Sequence, residues 1–167
     1  TKKVTKSKHF SKQDLKLAKK VFSEIEKKRW TSAKNLSKRF KNRTIYKFVK
    51  WLYLLEPNNQ AGFYQYINFI NLHPNFPRLG RLRYLAEHKI TTETVKEKRI
   101  IQWFEEKEPL SGYGKLMLGQ SYLIEGNIEK GISLIKEGWI TAKLSKKDLK
   151  YLKKKLKKYL NTEDHIK

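Results

Sequence analysis

Residues 111–139, SGYGKLMLGQSYLIEGNIEKGISLIKEGW, read as two helices joined by a sharp turn. Gly126-Asn127 is a strong turn dipeptide, and the apolar residues on either side recur at a helical period. Gly119 and Gly131 are small enough to let the paired helices approach closely. The same pattern runs outward in both directions. Towards the N-terminus, SKQDLKLAKKVFSEIEKK begins on the cap Ser11 and carries Leu15, Ala18, Phe22 and Ile25 as a stripe. Further stripes follow, first Trp30, Ala33, Leu36 and Phe40, then Ile45, Phe48, Leu52 and Leu55 up to Pro57. Phe63, Tyr66, Ile67 and Ile70 come next and stop at Pro74. Pro77 suits the first turn of the next helix, which turns Leu79, Leu82, Leu85 and Ala86 inward. Thr92 is a candidate cap for the helix that ends before Pro109. Beyond the opening pair, SKKDLKYLKKKLKKYL places Leu149, Leu152, Leu156 and Leu160 on one side. No segment alternates between hairpin turns as strands do. An all-α chain of about nine helices is expected.

Short helices in series build bundles or α-solenoids. Leu118-Gly119-x-x-Tyr122, the Gly126 turn, Gly131 and Leu134 match half of the tetratricopeptide-type pattern. Tyr122 would fill the groove between the paired helices. The period is not strict, so the expected architecture is an α-superhelix of irregular tetratricopeptide-like hairpins. It should span residues 11–167, preceded by a disordered basic arm over residues 1–10. The ending YLNTEDHIK carries helix start signals, with Asn161 and Thr162 as caps and Glu163 and Asp164 in the first turn. It reads as a cut, with the superhelix continuing beyond it.

The formal charge is +23 over 167 residues, and its placement is uneven. Residues 1–56 carry 18 Lys/Arg against 4 acids, residues 57–139 carry 11 against 9, and residues 140–167 carry 10 against 3. Such a chain accumulates on polyanions, although lysine also dominates ordinary solvated helix faces. Cysteine is absent, which excludes disulfides and thiolate metal sites. His9, His73, His88 and His165 have no metal-ligand spacing, so no metal and no cofactor is expected. Gly112 and Gly114 lack the Walker pattern and instead allow a tight helix start. Glu105, Glu106 and Glu108 could supply a carboxylate pair, but no acid is marked as buried, and a solvated face is the better reading. Tyr64, Tyr66, Phe69 and Trp51 could stack on bases or sugars, yet at helical spacing they read as core. No run approaches the roughly 18 apolar residues of a membrane span. The last helix has nine lysines between Lys143 and Lys158 and no arginine, which argues against nucleic acid as the partner. Its leucine stripe could lie on a membrane surface or pack on the preceding pair.

INLHPNFPRLGRLRYLAEHKI, residues 70–90, resembles a segment of soluble lytic murein transglycosylases, in which an N-P-x-x-P stretch leads into a helix ending in A-E. Pro74, Pro77, Ala86 and Glu87 stand in those places. Residues 100–139 are similar to the family's next stretch, through Trp103, Phe104, Pro109, Leu110, Ser111, Gly112, Gly114, Gly126 and Trp139, with Gly138 where the family has Ala. The ending resembles L-T-x-E-D-H through Leu160, Thr162, Glu163, Asp164 and His165, one residue shorter between Thr and Glu. The resemblance covers residues 66–167, while residues 1–60 fit only as helical hairpins.

It implies the first part of a ring-like α-superhelical domain in the periplasm. That domain supports a separate C-terminal catalytic domain of goose-lysozyme type, which cleaves MurNAc–GlcNAc bonds of peptidoglycan to 1,6-anhydro products. The family's catalytic Glu lies in an E-S dipeptide, which is absent here, and KLMLGQ (115–120) lies inside the helical pair. No catalytic residue carries over. The implied role is a scaffold and substrate-guiding surface for glycan strands bearing stem-peptide carboxylates. The alternatives are a free-standing tetratricopeptide-like adaptor and a basic nucleic-acid binder.

Overall fold

In a computed structural model, the described residues are 11–157, and among them nine α-helices and no strand are found. The expected all-α class holds. The basic arm and the residues from Lys158 onward, including Asp164 and His165, lie outside the described residues. The chain divides into two compact units, the first ending at Asn59 and the second beginning at Gln60.

The first unit holds α1 (Lys12–Glu26), α2 (Trp30–Ser37) and α3 (Thr44–Leu55). Ser11 opens α1 with a reciprocal capping box: its hydroxyl accepts from the Asp14 N–H while Asp14 accepts from the Ser11 N–H. At the other end Lys28 adopts φ 55°, and the Arg29 N–H reaches back to the Glu24 carbonyl at 2.8 Å. These bonds satisfy carbonyls that the helix end would otherwise leave open. The core is Val21, Ala33, Phe40 and Val49, with Leu17, Ala18, Ile25, Leu36 and Ile45 packed around it. The expected stripe on α1 is therefore corrected. Leu15 and Phe22 are 52% and 44% exposed, and Leu17 and Val21 take the inner positions. Both stripes share Ala18 and Ile25, and the two faces differ by a fraction of a turn. Periodicity alone could not separate them. Phe22 instead lays its ring edge-on to Phe48 at 6.3 Å.

The second unit holds α4 (Phe63–Leu72), α5 (Leu79–Glu87), α6 (Glu97–Glu106), α7 (Gly112–Ile124), α8 (Ile128–Thr141) and α9 (Lys146–Leu156). Two helix starts differ from expectation. Arg78 caps α5 at φ 59°, a left-handed conformation, so the helix begins at Leu79 and Pro77 precedes the cap. Residues 91–94 form a separate turn closed by the Thr91–Thr94 hydroxyl pair at 2.7 Å, and α6 starts at Glu97 rather than near Thr92.

The α7–α8 pair forms as the opening stretch predicts. Gly126 takes φ 90°, its N–H bonds the Leu123 carbonyl, and the Asn127 N–H bonds the Tyr122 carbonyl at 2.8 Å. That is a Schellman cap, and Asn127 then caps α8 through the Lys130 N–H. A Cβ on Gly119 would lie 2.8 Å from the Gly131 carbonyl oxygen, and one on Gly138 would lie 2.8 Å from that of Gly112. These mirrored approaches show an antiparallel pair whose backbones touch where side chains are missing. Tyr122 is only half-buried, and its hydroxyl accepts from Lys130 Nζ at 2.8 Å. It caps the groove edge rather than filling it.

Aromatic packing joins the remaining helices. Phe63 meets Trp103 edge-on at 5.0 Å, and Tyr66 and Phe69 are buried, as a core reading requires. Tyr64 is 52% exposed and does not belong to that core. On α9, Leu152 and Leu156 are fully buried, and Tyr151 meets Thr92 at 3.1 Å. Of the described members of the leucine stripe, Leu149 is half-buried and Leu152 and Leu156 are consumed by packing, leaving lysines on the solvated face.

Candidate functional site

Two segments singled out by sequence meet at the end of α5 and the start of α7. Glu87 is fully buried there. Its Oε1 accepts from the Leu110 N–H at 2.7 Å, and its Oε2 accepts from the Ser111 N–H at 2.8 Å and the Ser111 hydroxyl at 2.5 Å. Ser111 Oγ in turn accepts from the Gly114 N–H at 2.9 Å, capping α7. Gly114 is obligatory for space, because a Cβ would stand 2.5 Å from Glu87 Oε2. One carboxylate thus clamps the turn before α7 to the end of α5, 23 and 24 residues apart in sequence.

The electrostatics of Glu87 are contested between two effects. Burial pushes its carboxyl above the ordinary value of 4.5, whereas the hydrogen bonds from Leu110 and Ser111 and the neighbouring His88 pull the other way. Burial prevails. Arg83, one turn earlier, spreads its guanidinium over the Trp103 ring at 4.3 Å and donates to the Trp103 and Lys107 carbonyls at 3.2 and 2.9 Å. Tyr113 donates to the Ile90 carbonyl at 2.7 Å, and its burial raises the hydroxyl pKa well above the usual value. Beside the clamp, the His88 ring stacks on Tyr113 at 5.4 Å, and a cavity of about 350 Å³ is lined by Tyr84, His88, Ser111, Tyr113, Lys115 and Lys143. A second cavity of about 480 Å³ is edged by Glu105, Glu108, Glu137, Lys115, Tyr122 and Lys130, with Lys115 paired to Glu137.

The sequence-selected residues therefore separate into groups. Glu87, Pro109 and Gly112 come together in or beside the clamp, and buried Trp103 joins them through Arg83. Pro74 and Pro77 stand in the exposed connection before α5. Gly126 forms the hairpin turn, and Trp139 is half-buried on α8. The acids Glu105, Glu106 and Glu108 are exposed, as the solvated-face reading expects.

One reading needs correction, because the chain does contain a buried acid with a raised pKa, and it is Glu87. It borders neither of the two cavities beside it, and both its oxygens accept from the turn that starts α7. The arrangement holds helices in place. The missed signal was the P-L-S turn, whose N–H groups need an acceptor once buried. Among the described residues, no group of three His, Cys, Asp or Glu could hold a metal, and no helix is long and apolar enough to cross a membrane. Comparison with family models, curated proteins and solved structures found no match to this chain.

Proposed function

We propose that this chain is the non-catalytic, superhelical scaffold of a periplasmic peptidoglycan lytic transglycosylase, offering a basic surface along which anionic glycan strands are guided. The observation that carries the reading is the clamp. Residues chosen for their likeness to that family, in two separate segments, prove to share one buried hydrogen-bonded node.

Charge supplies the guiding role. Seven lysines of α9 and its cap (Lys146, Lys147, Lys150, Lys153, Lys154, Lys155 and Lys157) are exposed while Leu152 and Leu156 beneath them are buried. Lysines without arginine hold carboxylates loosely, as point charges, and their attraction is screened over about 8 Å at physiological salt. Sedimentation with purified sacculi tests this role. The chain should pellet with sacculi at low salt and be released as salt rises. If it stays in the supernatant at every salt concentration, the guiding role is wrong and a protein-binding adaptor becomes the better reading.

A further inference from the structure

The first unit carries a groove that the scaffold reading does not use. It is an open cavity of about 620 Å³ between α1 and the link from α2 to α3, lined by Gln13, Lys16, Leu17, Lys20, Arg39 and Lys41. Lys16 and Lys20 are one turn apart and share a face of α1, and Arg39 and Lys41 approach from the link. None of the four makes a salt bridge to a carboxylate among the described residues. Among the described residues the only acid in the wall is Asp14, and it is already engaged, accepting from both the N–H and the hydroxyl of Ser11. Those bonds, with Lys41 nearby, hold its carboxyl below the usual carboxylate range.

Four like charges around one concave space repel each other and raise the local concentration of anions. A lone carboxylate could neutralise only one of them. Two or three linked phosphoryl groups carry several charges within a few ångströms, and Arg39 can fork onto phosphate oxygens. The volume falls within the roughly 300–1,000 Å³ of small-ligand sites. We propose that this groove is a binding site for ligands bearing closely spaced phosphoryl groups. The site does not depend on the peptidoglycan reading.

The test must separate a local site from the general attraction of a +23 chain. The full chain is titrated calorimetrically at physiological salt with tripolyphosphate, with citrate, and with vesicles containing a phosphoinositide that bears two neighbouring ring phosphates. Three variants are compared: Arg39→Glu with Lys41→Glu, Lys16→Gln with Lys20→Gln, and the remote control Lys153→Glu with Lys154→Glu on α9. All six positions are exposed, so folding should survive, and circular dichroism checks that. Binding of tripolyphosphate tighter than citrate, weakened about tenfold or more by each groove variant and little by the control, supports a free phosphate ligand. The same pattern with vesicles alone assigns the phosphate to a lipid headgroup. No binding of either phosphate ligand, equal losses in groove and control variants, or citrate binding as tight as tripolyphosphate would overturn the proposal.

Discussion

Glu87→Ala is expected to destabilise the second unit by about 3 kcal/mol or more. The substitution deletes the acceptor of two backbone N–H groups and a hydroxyl, all at the turn that starts α7. Each buried donor left without a partner costs about 1–3 kcal/mol. Ser111 also loses the bond that orients its hydroxyl as the α7 cap. Glu87→Gln should cost less than alanine, since it keeps the shape and one acceptor oxygen, but more than nothing, because its amide then faces one of the two backbone N–H groups donor to donor. The two variants also predict a pH signature. Burial raises the folded-state pKa of Glu87, so the native state holds this proton more tightly than the unfolded chain. That contribution is fully present below the unfolded value near 4.5 and fades as pH rises through the higher folded value. The wild-type chain should therefore lose stability relative to Glu87→Gln as pH climbs out of the ordinary carboxylate range. Urea unfolding at several pH values measures both effects. An alanine variant within about 0.5 kcal/mol of wild type would show that the clamp holds nothing.

Gly119→Val should cost about 3 kcal/mol, at the upper end of what overpacking a tight interface does. A Cβ at that position would stand 2.8 Å from the Gly131 carbonyl oxygen and 2.9 Å from Ile135 Cγ1. The first of these is backbone, so α7 and α8 can make room only by moving apart. Moving apart would open the contacts of Leu116, Met117 and Ile135, which are fully buried. The gain in helix propensity over glycine, below about 1 kcal/mol, cannot offset that. Gly80 provides the control. It is exposed in α5 with nothing within 4 Å of a Cβ, so Gly80→Ala should stabilise by up to about 1 kcal/mol. If thermal denaturation shows Gly119→Val tolerated as well as Gly80→Ala, the close approach of the two helices is wrong.

The helical class and the α7–α8 hairpin were legible because period, turn and small residues agreed over one continuous stretch. Legibility failed where the deciding partner lay far away in sequence. The burial of Val21 rather than Phe22 is settled by which face of α1 the residues around Ala33 and Val49 cover, and no local pattern carries that. Arg78 begins α5 with a left-handed residue that is not glycine, a conformation that local propensity disfavours and so does not announce. Glu87 was visible as a motif residue, but its role was not. A glutamate ending an amphipathic helix reads as solvated until the turn at Leu110 and Ser111 is folded against it. The same holds for the groove in the first unit, since Lys16 and Arg39 become neighbours only once α1 and α2 have paired.

The scaffold reading stands or falls most directly on the reading frame that follows the codon for Lys167. The account predicts that it continues through further helices into a domain carrying an E-S dipeptide and, later, a G-L-M-Q-like motif. That domain would supply the catalytic glutamate of the proposed enzyme. A stop codon directly after Lys167 would contradict the scaffold role and leave a free-standing helical adaptor in its place.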